Sequence, residues 1–220
     1  MAVTYKDVQQ SPEIRTYITQ ADASLLALGF TEHSYAHVGR CAAIAGDLLR
    51  DLGYDEHTIE VCRIAAFMHD IGNVVNRNDH AQTGAVMAFR ILDKMGMPPA
   101  DVAAVITAIG HHDDSTAYPV NAVAAALILA DKTDVRRSRV RNKDVTSFDI
   151  HDRVNYAVEE SVTRLDREAA TFTLSLTINT QVCPVMDYFE IFLHRMLLCR
   201  KAAEFFRLTF HLDINGQDLL

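Results

Sequence analysis

Apolar positions recur along this chain with two different periods, and the change from one to the other divides it. From residue 11 to about residue 158 they repeat at three- and four-residue spacings, the period of helices buried along one side. Ser11, Pro12 and Glu13 make a helix start: a capping side chain, a residue with preset φ, and a charge suited to the helix dipole. Gly29 ends that helix. Thr31 is expected to cap a second helix reaching Leu52, with Gly53 behind it, and Asp55 a third that runs to Gly72. Residues 73–79 read as a loop. A fourth helix is predicted from about Asp79 to Met95, closed by Gly96 and Pro98-Pro99, and a fifth from Pro99 or Asp101 to near His111. A sixth spans about Pro119 to Val135, and a seventh starts at Ser147 and carries Ile150, Val154, Ala157 and Val158.

The period then becomes two. Residues 171–178 alternate strictly, and residues 208–214 alternate again before Asn215-Gly216, so both read as half-buried strands. Pro184 opens a helix between them that reaches about Phe206. The pattern predicts a mainly α protein. Residues 1–166 form a helical domain, and residues 167–220 a strand-helix-strand extension packed on it as one structural unit, with its two strands antiparallel.

Composition narrows the functional classes. With 220 residues and 49% hydrophobic content, the chain can bury one sizeable core. A net charge of −8 opposes nonspecific nucleic-acid binding. The N-terminus is polar and no apolar run reaches eighteen residues, so neither a leader nor a membrane span is expected. Cys41, Cys62, Cys183 and Cys199 are widely spaced and form no C-x-x-C pair. They read as buried thiols of a cytoplasmic protein.

Periodicity leaves one series unexplained: His37, His69-Asp70, His80, His111-His112 and Asp131, all metal-ligand types. The apolar run 61–68 ends in His69-Asp70, the run 122–130 ends in Asp131, and the run after Asp101 ends, past Gly110, in His111-His112. An unpaired carboxylate at the interior end of an apolar helix costs several kcal/mol, and the partly negative helix C-terminus adds to the penalty. A divalent cation removes both objections. His37 precedes His69 by 32 residues with a turn between, so antiparallel helices would bring them together. Asp70 can bridge two cations with its two oxygens. His37, His69 and Asp131 would complete one shell, and His80, His111 and His112 would supply a second. Mixed imidazole and carboxylate ligands suit Mn, Fe, Ni, Co or Zn rather than Ca. Two such cations, about 3.5–4 Å apart, are the arrangement that hydrolyses phosphoesters.

The ordered set His…His-Asp…Asp resembles the HD superfamily of metal-dependent phosphohydrolases. His37-Val38-Gly39-Arg40 is similar to its first-histidine motif, and Phe67-Met68-His69-Asp70-Ile71-Gly72 is very close to its signature. His80-Ala81-Gln82-Thr83-Gly84-Ala85, His111-His112 and Leu129-Ala130-Asp131 resemble the extended ligand set of binuclear members. The resemblance covers about residues 31–140. It implies an HD-domain helical bundle with metals among its helices and a small phosphorylated substrate, nucleotide-derived in the leading reading. The roles expected are metal ligation and catalysis for Asp70 and Asp131. Two positions depart from the pattern. Asn73 stands where many HD hydrolases have Lys. Ala117 stands where HD-GYP cyclic-dinucleotide phosphodiesterases have Gly before Tyr-Pro, so cyclic di-GMP hydrolysis is not assigned. Di-iron oxygenases of the same superfamily use a similar set, and His80-x-x-x-Gly84-Ala85 resembles theirs too. That alternative stays open, as does a nonhydrolytic sensory module that has kept its metals.

Residues 136–143 hold five basic side chains just beyond Asp131. Lys132, Arg136 and Arg137 are candidates for substrate phosphate, with Lys132 the catalytic one of the three. Asp134 is a candidate for orienting a ligand or relaying protons, and His33 for facing substrate. His57, His151, His194 and His211 read as structural or surface residues. The Met and Phe residues of 186–206 fit a core or a homodimer seam.

Overall fold

A computed structural model describes residues 3–219. Its helices are α1 (Tyr5–Gln10), α2 (Pro12–Ala27), α3 (Tyr35–Asp51), α4 (Glu56–Met68), α5 (His80–Lys94), α6 (Pro99–Gly110), α7 (Ala122–Lys132), α8 (Ile150–Ala157) and α9 (Val185–Phe205). Its strands are β1 (Val158–Asp166), β2 (Thr171–Ile178), β3 (Thr209–Ile214) and β4 (Gln217–Asp218). The protein is mainly α, as the patterning predicts. No helix among the described residues is long and apolar enough to cross a membrane.

The centre of the helical body is α7. Residues Val123 to Ala130 are all at most 5% exposed, and a helix apolar on every side must be enclosed by others. Helices α3, α4, α6 and α9 pack around it, and its four buried alanines let them approach closely. Ser11 caps α2, Asp55 caps α4 and Asn121 caps α7, each accepting from a backbone N–H in the first turn. The second predicted helix begins later than expected. Ser34, not Thr31, caps α3, because Glu32 is tied down outside it: its backbone N–H donates to the Arg139 carbonyl, and its carboxylate accepts from the Ser34 N–H and hydroxyl. Helix α4 stops at Met68, and residues Ile71–Val74 tighten into a 3-10 turn.

The sheet corrects the expectation of two antiparallel strands. It has four strands in the order β1-β2-β3-β4. β2 and β3 pair in parallel, in register from Thr171 with Thr209 to Leu176 with Ile214. Between them α9 returns the chain to the end of the sheet where β2 began, and a parallel pair needs such a crossover. The antiparallel partner of β2 is β1, which follows α8 without a linker. The apolar faces of β2 and β3, with Phe172, Leu174, Leu176, Phe210, Leu212 and Ile214 buried, turn toward the core. Since α9 packs on both β3 and α7, the sheet and the helical body share one core.

Candidate metal centre

Five helix ends bring the titratable series together. His37 lies in the first turn of α3, His69 is the C-cap of α4 and Asp70 follows it. His80 opens α5, His112 follows the C-cap of α6, and Asp131 lies in the last turn of α7. Asp70 is the hub. Its Oδ2 is 3.5 Å from His37 Nε2 and 3.3 Å from His69 Nε2. Its Oδ1 is 3.6 Å from His80 Nε2 and 3.9 Å from His112 Nε2. Asp131 Oδ1 joins the first group, 3.4 Å from His37 Nε2 and 3.8 Å from His69 Nε2.

The protonation pattern is legible from the other ring nitrogen. His37 Nδ1 donates to Asp134 Oδ2 at 2.7 Å, and His69 Nδ1 to the Ala66 carbonyl at 2.8 Å. His80 Nδ1 donates to the Arg77 carbonyl at 3.0 Å, and His112 Nδ1 to the Ile109 carbonyl at 2.6 Å. These acceptors place the proton on Nδ1 and leave four Nε2 lone pairs aimed at the two oxygens of Asp70. Two Nε2 atoms face each other at 3.3 Å (His37 and His69) and two at 3.1 Å (His80 and His112). Lone pairs so placed repel unless a cation lies between them, and the spacings match shell edges for ligands at about 2.0–2.1 Å. Asp70 Oδ2 is also buried without a hydrogen-bond partner among the described residues. The donor set therefore fits divalent transition metal.

Of the seven residues in the predicted series, six converge. His111 takes no part in either group. It sits at the C-cap of α6, with its N–H on the Thr107 carbonyl and its Nδ1 buried without a partner. Cys41 lies beside the first group, yet its Sγ is 3.7 and 3.8 Å from the two nitrogens of His37. That near-equidistance places the sulfur on the lone-pair axis of neither nitrogen, and burial pushes the thiol well above its ordinary pKa.

The phosphate candidates are engaged elsewhere. Lys132 is buried, its ammonium 2.7 Å from Asp131 Oδ2 and 2.8 Å from Asp114 Oδ1. It neutralises the oxygen of Asp131 that faces away from the histidines. Arg136 is clamped by Asp134 at 2.8 Å and Glu32 at 3.1 Å. Arg137 donates to the Tyr156 carbonyl at 2.6 Å and stacks on that ring. These contacts anchor the segment after α7; they do not offer charge to a ligand.

Sequence reasoning missed three contributors. Asn73 donates to both the carbonyl and Oδ1 of Asp70, each at 2.9 Å. Asp113 Oδ1 lies 3.8 Å from His80 Nε2. A cavity of about 250 Å³ adjoins the centre, lined among others by Phe30, His33, Arg77, Arg139, Phe192 and Arg195. His33 links it to the centre, its ring edge-on to His37 at 5.4 Å between centroids. An Asp directly after His111-His112 was the available signal for Asp113, and Asn73 showed only as a departure from the family's Lys; Arg77 carried none.

The HD domain family model matches residues 34–154. The chain belongs to the HD domain family. That places it in a superfamily of metal-dependent phosphohydrolases. The HD protein is also 30% identical over 151 residues to Ribonuclease Y of Cutibacterium acnes (strain DSM 16379 / KPA171202). The match takes in 66% of this chain and 25% of that protein, so the chain spans about a quarter of its relative's length.

Asp134 has a testable part in this HD centre. Burial works to raise its carboxyl, but the hydrogen bond from His37 and the charge of Arg139 hold it well below the usual range. As an anion it fixes the His37 tautomer. Asp134→Asn presents an amide that can donate to Nδ1 and push the proton onto Nε2. Metal affinity is expected to fall about 10- to 100-fold, read by competition with a chelator. Unchanged affinity would remove the orienting role from Asp134.

Proposed function

We propose that this HD protein is a metal-dependent phosphohydrolase with a two-cation centre bridged by Asp70, acting on a small, nucleotide-derived phosphomonoester or phosphodiester. The observation that carries the reading is the division of Asp70: one carboxylate oxygen faces His37 and His69, the other His80 and His112. The first position would be held by His37, His69, Asp70 and Asp131, the second by Asp70, His80 and His112. Imidazole and carboxylate donors suit Mn, Fe, Ni, Co or Zn. When bound, the cations supply Lewis acidity and a water activated for attack on phosphorus at neutral pH.

The chain's own residues prepare the site. The acceptors on Nδ1 fix the tautomer and the orientation of each imidazole before anything binds. Asn73 restrains Asp70 so that its two oxygens stay divided between the groups. Lys132 keeps Asp131 ionised, supported by Asp114, whose own carboxyl is pulled down to about 2 against its burial by Lys132 and Arg195. The net charge of −8 favours a small substrate over an RNA polymer. The name of its relative, a ribonuclease, is in keeping with phosphoester chemistry.

The test is metal-free protein reloaded with Mn²⁺, Fe²⁺ or Co²⁺. It is assayed against aryl phosphomonoesters, aryl phosphodiesters and nucleotides, with metal content and oxygen uptake measured on the same samples. Phosphoester cleavage with two metals per chain and no oxygen uptake is the expected result. Two irons with oxygen uptake and no cleavage would make it an oxygenase. Two metals without any turnover would make it a sensory module.

A further inference from the structure

We propose that Arg77, held by Asn73, is the residue of this chain that binds the substrate's phosphate beside the second cation position. The assignment rests on the phosphohydrolase reading and names the group that recognises the anion. Arg77 lies in the loop between the 3-10 turn and α5. Its carbonyl fixes His80 Nδ1, and its guanidinium returns to the centre, with Nη1 3.4 Å from His80 Nε2 and 3.2 Å from Asn73 Oδ1. The guanidinium carbon lies over the Phe30 ring, 5.6 Å from its centroid, at the wall of the adjoining cavity.

Three guanidinium groups line that cavity, and two are already neutralised. Arg139 donates to the Asp134 carbonyl and lies 3.6 Å from its carboxylate, and Arg195 lies 2.8 Å from Asp114. Arg77 has no carboxylate within 4.0 Å among the described residues. Its charge is permanent, since a guanidinium is not deprotonated in a protein. Once His80 Nε2 serves as a ligand it can no longer accept from Arg77, so the donor facing the centre is freed. A fixed cation beside a cation position is unfavourable until an anion touches both. A phosphate does so, and the two-pronged geometry of the guanidinium suits two of its oxygens.

Asn73 makes the arrangement rigid. Its Nδ2 is committed to the two acceptors of Asp70, so its Oδ1 must face Arg77. One amide thus connects the bridging carboxylate to the phosphate-binding guanidinium. Asp cannot take this place, since it has no donor for Asp70. Asp79, in the left-handed region at φ 57°, turns the chain sharply between Arg77 and His80. Aspartate is among the residues that adopt this conformation most readily.

The test uses the Mn²⁺-loaded full chain and inorganic orthophosphate as the probe, followed by calorimetry, with manganese content measured on each sample. Arg77→Ala is expected to weaken orthophosphate binding about 10- to 100-fold with manganese content unchanged, and Arg77→Lys to recover part of it. With a hydrolysable phosphoester, the same change is expected to raise KM more than it lowers kcat. Wild-type protein that does not bind orthophosphate overturns the assignment, as does Arg77→Ala binding it as tightly as wild type. Loss of manganese from both Arg77→Ala and Arg77→Lys overturns it too, because Arg77 would then act on the position of His80. The two readings fail separately. Arg77-dependent orthophosphate binding without turnover of any phosphoester leaves the assignment standing and removes the hydrolase. Turnover with unchanged KM and orthophosphate affinity in Arg77→Ala does the reverse.

Discussion

Asp70→Ala is expected to remove bound metal and turnover together while the helical body stays folded. Asp70 turns one carboxylate oxygen to each group of histidines, so its loss deletes one donor from each proposed shell. The four imidazoles remain oriented by their own Nδ1 contacts, which do not pass through Asp70. Replacing partners that only orient ligands costs about 10- to 100-fold in metal affinity, and loss of a shared ligand should exceed ~100-fold. The core is not expected to suffer. Asp70 is a polar residue at the inner end of α4, and the apolar contacts of α3, α4 and α7 do not include it. Elemental analysis and far-UV circular dichroism decide the matter. Full metal content in Asp70→Ala would show that the carboxylate is not a bridge.

Gly72→Ala is expected to damage the same centre by a different route, through space. The glycine is required by proximity, not by its backbone conformation. A Cβ at this position would fall deep inside contact distance of the His80 carbonyl oxygen, 2.5 Å from the Gly84 backbone nitrogen and 2.7 Å from Thr83 Oγ1. Two of these atoms belong to the backbone of α5, which cannot yield one residue at a time. The helix must back away from the 3-10 turn, and His80 at its first position moves with it. Overpacking of this kind costs about 2–3 kcal/mol, at the upper end of its range. For a domain of this size that is a fall in Tm of about 5–10 °C. The metal-free protein should show the drop in Tm. Reloaded protein should lose the site of His80 and His112 while His37, His69 and Asp131 keep theirs. A wild-type Tm with both metals in place would mean that α5 does not seat against Gly72 as described.

The two routes to the centre separate what is readable in the chain from what is not. Caps at Ser11 and Asp55, and the apolar span of α7, are short-range properties, so the helices they define can be placed from sequence. The alternation of Phe172, Leu174 and Leu176 likewise marks β2. β1 escaped notice because its residues alternate poorly, its register shifts between Val158 and Glu160, and beyond Val158 none of its residues is fully buried. The direction of β3 is settled by where α9 delivers the chain, and two alternating strands carry no record of that. His111 and His112 show the same limit within one dipeptide. Both have the ligand chemistry, and the turn at the end of α6 sends only the second into the centre.

By itself the sequence determined a mainly α protein of the HD family type and the candidate ligand residues, six of which the fold brings together. These depend on helical period and on which side-chain types occur at the ends of apolar runs. Only the tertiary structure decided how those residues are held and which charges remain free. The acceptor on His37 is Asp134, 97 positions away. Lys132, which lies next to Asp131 in sequence, is shared with Asp114, while Arg77, in a segment that reads only as a loop, has no carboxylate within 4.0 Å among the described residues. Tautomers, charge neutralisation and close approach are set by groups that meet across the core, and the folded chain alone specifies those meetings.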